Sequence, residues 1–301
     1  MKIGIGTAQL GLKYGIVNSN SSLSISKNDF SKILNLSLKK KIKILDTAES
    51  YGNSEKLIGS LLLKKKFKNQ FNIITKLSDL RFIKSKNIYR EIYKKINISL
   101  NNLKIKKIYG LLIHDIKDLK SKKKDVIFRS LLRLKKEGLV KKIGFSCYKH
   151  DDLTYFSSKY NFDIIQFPFN ILDQRLLETK TLKNLKKNKV EIHIRSIFLQ
   201  GLLLLPQKKI PYNFLKNHNS LKKWHNFLRI NNIDPISACL NFIIKNNFYK
   251  NVIIGFNEYF HFKDVINKYS FIKKKKLDLN YNKLKNFNEN VINPNKWKKL
   301  K

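Results

Sequence analysis

Cysteine is nearly absent: Cys147 and Cys239 are the only two in 301 residues. They share no metal-ligand spacing and form no disulfide framework, which points to a reducing, cytoplasmic setting. The histidines His150, His193, His218, His225 and His261 also lack ligand spacing, so no metal is expected. No apolar run is long enough to span a bilayer; SIFLQGLLLLP is broken by Gln200 and Gly201 and stops at Pro206. The opening MKIGIGTAQLGL has one lysine, an apolar stretch interrupted by glycines and no clear cleavage site, so it is not read as a signal peptide. No membrane association is expected. No Gly/Ser-rich linker or fixed-period repeat divides the chain, and residues 1–301 are read as one domain. No G-x-G-x-x-G follows the first strand, and the glycines of GIGTAQLG are wrongly spaced for that fingerprint, which speaks against a Rossmann sheet.

Acidic residues are scarce, 21 against 63 basic ones, giving a formal net charge of +42. Such a balance can signal nucleic acid or an anionic membrane. The excess is nearly all lysine, with arginine only at Arg81, Arg90, Arg129, Arg133, Arg175, Arg195 and Arg229. Nucleic-acid surfaces favour the bidentate fork of Arg, and no nucleic-acid motif accompanies the charge. Lys, Asn and Ile share A/T-rich codons, so the composition is read as codon bias acting on exposed positions. Nucleic acid is not expected as a primary partner. With 42% hydrophobic and 12% aromatic residues the chain can bury a sizeable core.

Short apolar or β-branched runs alternate with longer segments of helical period. The expected strands are Ile3–Ala8, Ile42–Asp46, Phe71–Lys76, Ile108–His114, Lys142–Ser146, Ile164–Pro168, Glu191–Ser196 and Val252–Gly255. Each is followed by a helical stretch, the first capped near Ser26 and the fourth carrying Val126, Leu131, Leu132 and Leu134. An irregular excursion around Pro206 and Pro211 follows strand seven, then two helical stretches, one around Trp224–Ile230 and one opening at Pro235. From about Leu277 one further helix and a basic tail are expected, covering 277–301. Eight strand–helix units favour an α/β fold of the closed (β/α)8 barrel type.

Three of these strands run an apolar stretch into chemically useful side chains, four in all: Asp46 and Tyr51 in ILDTAESYG, Lys76 in FNIITKLS, and His114 in YGLLIHD. In a parallel barrel all strand C-termini open on one face, so these residues converge there. A phenol of ordinary pKa near ~10 is a poor acid alone. A neighbouring ammonium, Lys76, would lower that value, Asp46 would keep the lysine charged, and His114 would orient a carbonyl oxygen. Singly, each residue also reads as a cap, packing, a solvated strand end or a satisfied core polar group. Asp115 reads as a loop cap.

LDTAESYG, ITKLS and LLIHD together resemble the aldo-keto reductase superfamily, and the similarity runs from GIGTAQLG to VIIGFNE. The resemblance implies a (β/α)8 barrel that reduces aldehydes or ketones with NADPH, or alternatively NADH, acting on a small-molecule carbonyl substrate. Its Asp-Tyr-Lys-His tetrad falls on Asp46, Tyr51, Lys76 and His114, with Tyr51 as proton donor. It places Gly6 and Thr7 near the nicotinamide ribose, and Ser146 and Gln166 at the carboxamide, although Cys147 replaces the family's usual asparagine. Arg195 stands where many members stack an aromatic ring on the nicotinamide; its guanidinium could stack, bind a phosphate or acidic substrate, or form a rim salt bridge. Gly255, Asn257 and His261, with Lys263, fall in the strand-eight region that sets cofactor choice. TAQLGLKYGIVN resembles bacterial members associated with sugar or cell-surface polysaccharide pathways, which implies a sugar-related carbonyl. The alternative is a nucleotide-binding barrel that acts as a sensor or interaction subunit with little turnover.

Overall fold

The computed structural model describes residues 1–12, 15, 25–177, 179–210, 212, 219–275, 277–286 and 288–299. Most of the TAQLGLKYGIVN segment beyond Leu12, together with Pro211, His218, Lys276 and the last two residues, lies outside the described residues. Eight parallel strands close into a barrel: β1 Ile3–Gly6, β2 Ile44–Asp46, β3 Asn72–Leu77, β4 Ile108–Ile113, β5 Val140–Ser146, β6 Ile164–Pro168, β7 Glu191–Arg195 and β8 Asn251–Gly255. They pair in chain order, and β8 returns to β1 with Gly6 opposite Gly255. The helices outside them are α1 Lys27–Lys39, α2 Ser54–Leu62, α3 Ile88–Leu103, α4 Lys117–Lys120, α5 Lys124–Lys136, α6 His150–Lys159, α7 Lys180–Lys187, α8 Asn219–Ile230, α9 Pro235–Lys245 and α10 Tyr259–Lys275. This is the (β/α)8 architecture, and no helix of the described residues is long and apolar enough to cross a membrane.

Local chemistry explains the boundaries. Ser26 caps α1 by accepting the Asp29 N–H at 3.0 Å, and Phe30, Ile33 and Leu34 form its buried stripe. Asp234 does the same for α9 toward Ser237, with Pro235 at the first helical position. On α5 the buried stripe is Ile127, Ser130, Leu131 and Leu134. Val126 and Leu132 therefore fall on the outer flank and are exposed.

Several boundaries differ from the sequence reading. β1 stops at Gly6, and Ala8 belongs to a 3-10 turn, Ala8–Leu10. β4 stops at Ile113, leaving His114 as the first loop residue. The C-terminal segment carries its helix later and shorter than expected: one α-helical turn, α11 Glu289–Ile292, lies between 3-10 turns at Asn282–Leu284 and Pro294–Lys299. Tyr281 and Trp297 are buried, so side-chain anchors rather than helical length hold this segment down.

Two apolar cores result. The large one lies between strands and helices. The small one, Ile44, Ile74, Leu112, Ile164 and Ile253, fills the barrel itself. Side chains alternate with period two along a strand, so these five fix which positions point inward.

Candidate active site

Two residues further along each inward row lies a ring at the C-terminal mouth. Ile44 leads to Asp46, Ile74 to Lys76, Leu112 to His114, Ile164 to Gln166 and Ile253 to Gly255. By strand register Gly6 pairs with Asp46, Ser146 with Gln166, and Arg195 with Ile253, which adds β1, β5 and β7 to the ring. A cavity of about 420 Å³ opens there. Its wall includes Gly6, Thr7, Asp46, Tyr51, Gln166, Arg195, Gly255, Asn257 and His261. Lys76, His114 and Ser146 are absent from the wall and touch residues that form it.

Lys76 and Asp46 are 1% and 3% exposed, which for full charges demands partners. The Lys76 ammonium donates to Asp46 Oδ1 and, at 2.9 Å, to the Thr47 carbonyl. The other carboxylate oxygen of Asp46 accepts from Gln166 Nε2 at 2.8 Å. Burial lowers the Lys76 pKa, with the Arg195 charge acting the same way and Asp46 opposing. Gln166 thus spends one amide hydrogen on Asp46 rather than offering both to a ligand.

Tyr51 sits in the loop after β2, pinned from both sides. Glu49 N–H donates to the Lys76 carbonyl at 3.1 Å, and the Ser54 N–H to the Tyr51 carbonyl at 3.1 Å. Gly11 lies so close that a Cβ there would stand 1.9 Å from the Tyr51 carbonyl oxygen, and Gly52 takes a φ of 54°. The Lys76 ammonium is 5.3 Å from the Tyr51 ring centroid, and the His114 ring meets it edge-on at 5.6 Å.

The expected fall in the Tyr51 pKa is not what this geometry gives. The phenol is raised well above its ordinary value, first by burial and then by the Asp46 carboxylate, with Arg195 as the charge pulling it down. Burial is the larger cause, and the Lys76 charge, in direct contact with Asp46, does not offset it. His114 is lowered to about 3 by burial and then by the Lys76 and Arg195 cations, so its imidazole is neutral. Its Nδ1 lies 3.1 Å from Ser50 Oγ.

Arg195 is anchored by Cys147 O at 3.2 Å, by Ser146 Oγ and Ser196 Oγ at 3.4 Å, and by the face of Tyr148 at 4.0 Å. Tyr148 is itself held through its carbonyl by Arg175, which also pairs with the buried Asp173. Ser146 therefore stands under Arg195. The Thr7 hydroxyl donates to the Asp46 carbonyl and accepts from Ser54, so it braces the β1–β2 end. Asp115 caps its loop, accepting from the Lys117 N–H and from Arg81.

Sequence reasoning missed other wall residues: Gln9, Ser196, Phe198, Gln200 and Asp264. Gln9 Oε1 is buried without a partner among the described residues. Ser196, Leu199 and Gln200 take φ values of 60°, 48° and 54°, a cluster of left-handed residues directly after β7. The Gln-Gly pair interrupting an apolar run was the available signal for that kink. Asp264 had none, because its approach to the mouth depends on how α10 packs.

The aldo/keto reductase family model matches residues 2–284. Among solved structures, an aldo-keto reductase from Bacillus halodurans in its holo form superposes with a TM-score of 0.69 at 19% identity, covering 94% of this chain and 91% of its own. A glycerol dehydrogenase from Gluconobacter oxydans gives a TM-score of 0.66 at 17% identity, covering 97% and 92%. At these identities the likeness is one of fold. No curated protein sequence matches the chain.

Proposed function

Since the chain belongs to the aldo/keto reductase family, we propose that it reduces an aldehyde or ketone to an alcohol with hydride from NAD(P)H, Tyr51 supplying the proton. Membership implies oxidoreductase activity on a small carbonyl compound. The observation that carries the finer reading is the grouping of a phenol, a buried ammonium–carboxylate pair and a neutral imidazole at one cavity. A volume of about 420 Å³ suits a substrate-sized ligand. The orphaned Gln9 Oε1 calls for an N–H or O–H donor, which a nicotinamide ribose or carboxamide would supply. The bound dihydronicotinamide would contribute the hydride.

The chain's own groups do the rest. Tyr51, with its pKa raised, is fully protonated at neutral pH and always holds the proton to be given. His114, neutral, hydrogen-bonds the carbonyl oxygen without competing for that proton. Lys76 and Asp46 form a fixed ion pair beneath the ring and keep the phenol in place. Arg195 provides the positive charge that favours the developing alkoxide. At the strand-eight end, Asn257 and His261 favour NADPH, whereas the Asp264 carboxylate in the same wall favours NADH; the family precedent puts NADPH first. A sugar-related carbonyl, a cytoplasmic setting and a single domain over 1–301 belong to the same reading. The unpaired thiols of Cys147 and Cys239 support the setting.

The test is oxidation of NADPH and NADH over a panel of aldehydes and ketones, with cofactor binding measured alongside. Turnover on at least one carbonyl is expected. Cofactor binding with no turnover across the panel would favour the sensor instead.

A further inference from the structure

We propose that Arg195 makes the site discriminate between oxidation states of the cofactor, holding the reduced dinucleotide more tightly than the oxidised one. This rests on the carbonyl-reduction reading. Arg195 and Tyr51 line the same cavity, and Arg195 ends β7 in the ring that also holds Asp46, Lys76 and Gln166. The guanidinium is fixed by the Tyr148 face and the Cys147 carbonyl, so its charge cannot swing away when the ligand changes. Its field reaches the reacting groups: it is among the charges acting on Tyr51, on His114 and on Lys76. The other cation at the mouth, Lys76, is in direct contact with Asp46. The carboxylate of Asp264, which also lines the cavity, pairs with Lys268 at 3.3 Å.

The chemistry then sets the sign. In reduction the carbonyl carbon gains a hydride, its π pair becomes the lone pair of an alkoxide, and the Tyr51 proton closes the alcohol. The hydride leaves the dihydronicotinamide, so that ring goes from neutral to one positive charge. For the hydride to reach a carbonyl served by Tyr51, the ring must lie within a few ångströms of it, inside the field of Arg195. The cation repels the oxidised ring and leaves the reduced one untouched. The phosphates are common to both forms, so their attraction to any basic residue cancels in the ratio of the two dissociation constants. At a separation of roughly 6–10 Å and an effective dielectric of about 20, two unit charges alter an equilibrium roughly 15- to 100-fold. Solvent at the cavity mouth screens part of this, leaving about tenfold as the expected effect. Such a bias loads the reduced form and expels the oxidised one after each turnover.

The experiment measures dissociation constants of both oxidation states by calorimetry, using whichever of the NADPH/NADP⁺ and NADH/NAD⁺ pairs wild type binds more tightly. Wild type should bind the reduced form about tenfold more tightly or better. Arg195→Gln should tighten the oxidised form and bring the ratio to within about twofold of unity, whereas Arg195→Lys should keep most of the bias. Circular dichroism checks that each variant is folded, and Arg195→Met replaces the Gln variant if that one is not. A ratio unchanged in the folded neutral variant, with both oxidation states weakened alike, would place Arg195 on a phosphate and overturn the proposal. Equal affinities in wild type would also overturn it. Absence of binding by any form would overturn the carbonyl-reduction reading as well.

Discussion

Removing the Lys76 ammonium strands a carboxylate in the barrel mouth, and the cost is large enough to measure without any substrate. In Lys76→Met the Asp46 carboxylate, 3% exposed, keeps the Gln166 amide at 2.8 Å and loses its ion partner. Breaking a buried pair from one side costs about 3–5 kcal/mol. Asp46→Asn leaves the converse, a 1%-exposed ammonium on the Thr47 carbonyl at 2.9 Å and a neutral amide, at a cost of about 2–4 kcal/mol. In the double variant no charge is buried at either site and the amide that replaces the Asp46 carboxylate still accepts from Gln166, so its loss should be smaller than that of Lys76→Met alone. The coupling energy should then exceed about 2 kcal/mol. Urea unfolding at neutral pH, followed by circular dichroism for the four proteins of the cycle, reads this directly. Losses that add to within about 0.5 kcal/mol would mean that the two groups do not act on each other, which would refute the pairing.

Two further outcomes follow from the same structure. His114 is held at about 3 when folded against an unfolded value of about 6.5, so the unfolded chain takes up the proton first. Its contribution is complete above pH ~6.5 and is lost as pH falls toward 3. Between pH ~5.5 and ~4.5 wild type should lose about 1 kcal/mol more than His114→Gln in urea unfolding, and parallel losses would contradict the assignment. Gly144→Ala would put a Cβ 2.0 Å from the Ile164 carbonyl oxygen, between β5 and β6. It should cost about 1–3 kcal/mol or more in thermal unfolding, and a stability equal to wild type would mean that those strands are not packed this closely.

The alternation of apolar runs and helical stretches made the barrel legible, because eight short buried strands are each followed by a longer segment of helical period. The convergence of Asp46, Lys76 and His114 was legible at the strand ends, since all three stand two positions beyond an inward apolar residue, and Gln166, identified through the resemblance, stands at the same offset. What could not be read was which charges would be spent on one another. Sequence places Lys76 near Tyr51, but the burial of the phenol and the nearby Asp46 carboxylate, which raise its pKa rather than lower it, depend on packing. Thr7 and Ser146 were identified as mouth residues, yet their hydroxyls are taken up by Asp46, Ser54 and Arg195, contacts that depend on strand register. Gln9 and Asp264 line the cavity through the packing of a 3-10 turn and of α10, and no local pattern marks them. The tail was misjudged because Tyr281 and Trp297 anchor it by burial, which helical period does not record.

The identity of the proton donor is tested most directly by Tyr51→Phe. The exchange removes one hydroxyl from a loop braced by backbone bonds, so fold and cofactor affinity should stay within a few-fold of wild type. Single-turnover oxidation of the bound reduced cofactor, started with a carbonyl that wild type reduces, should slow by roughly 10²–10⁴. A Phe variant that binds cofactor and reduces the carbonyl at the wild-type rate would show that the proton comes from elsewhere, and the roles given to Lys76, Asp46 and His114 around that phenol would fall with it.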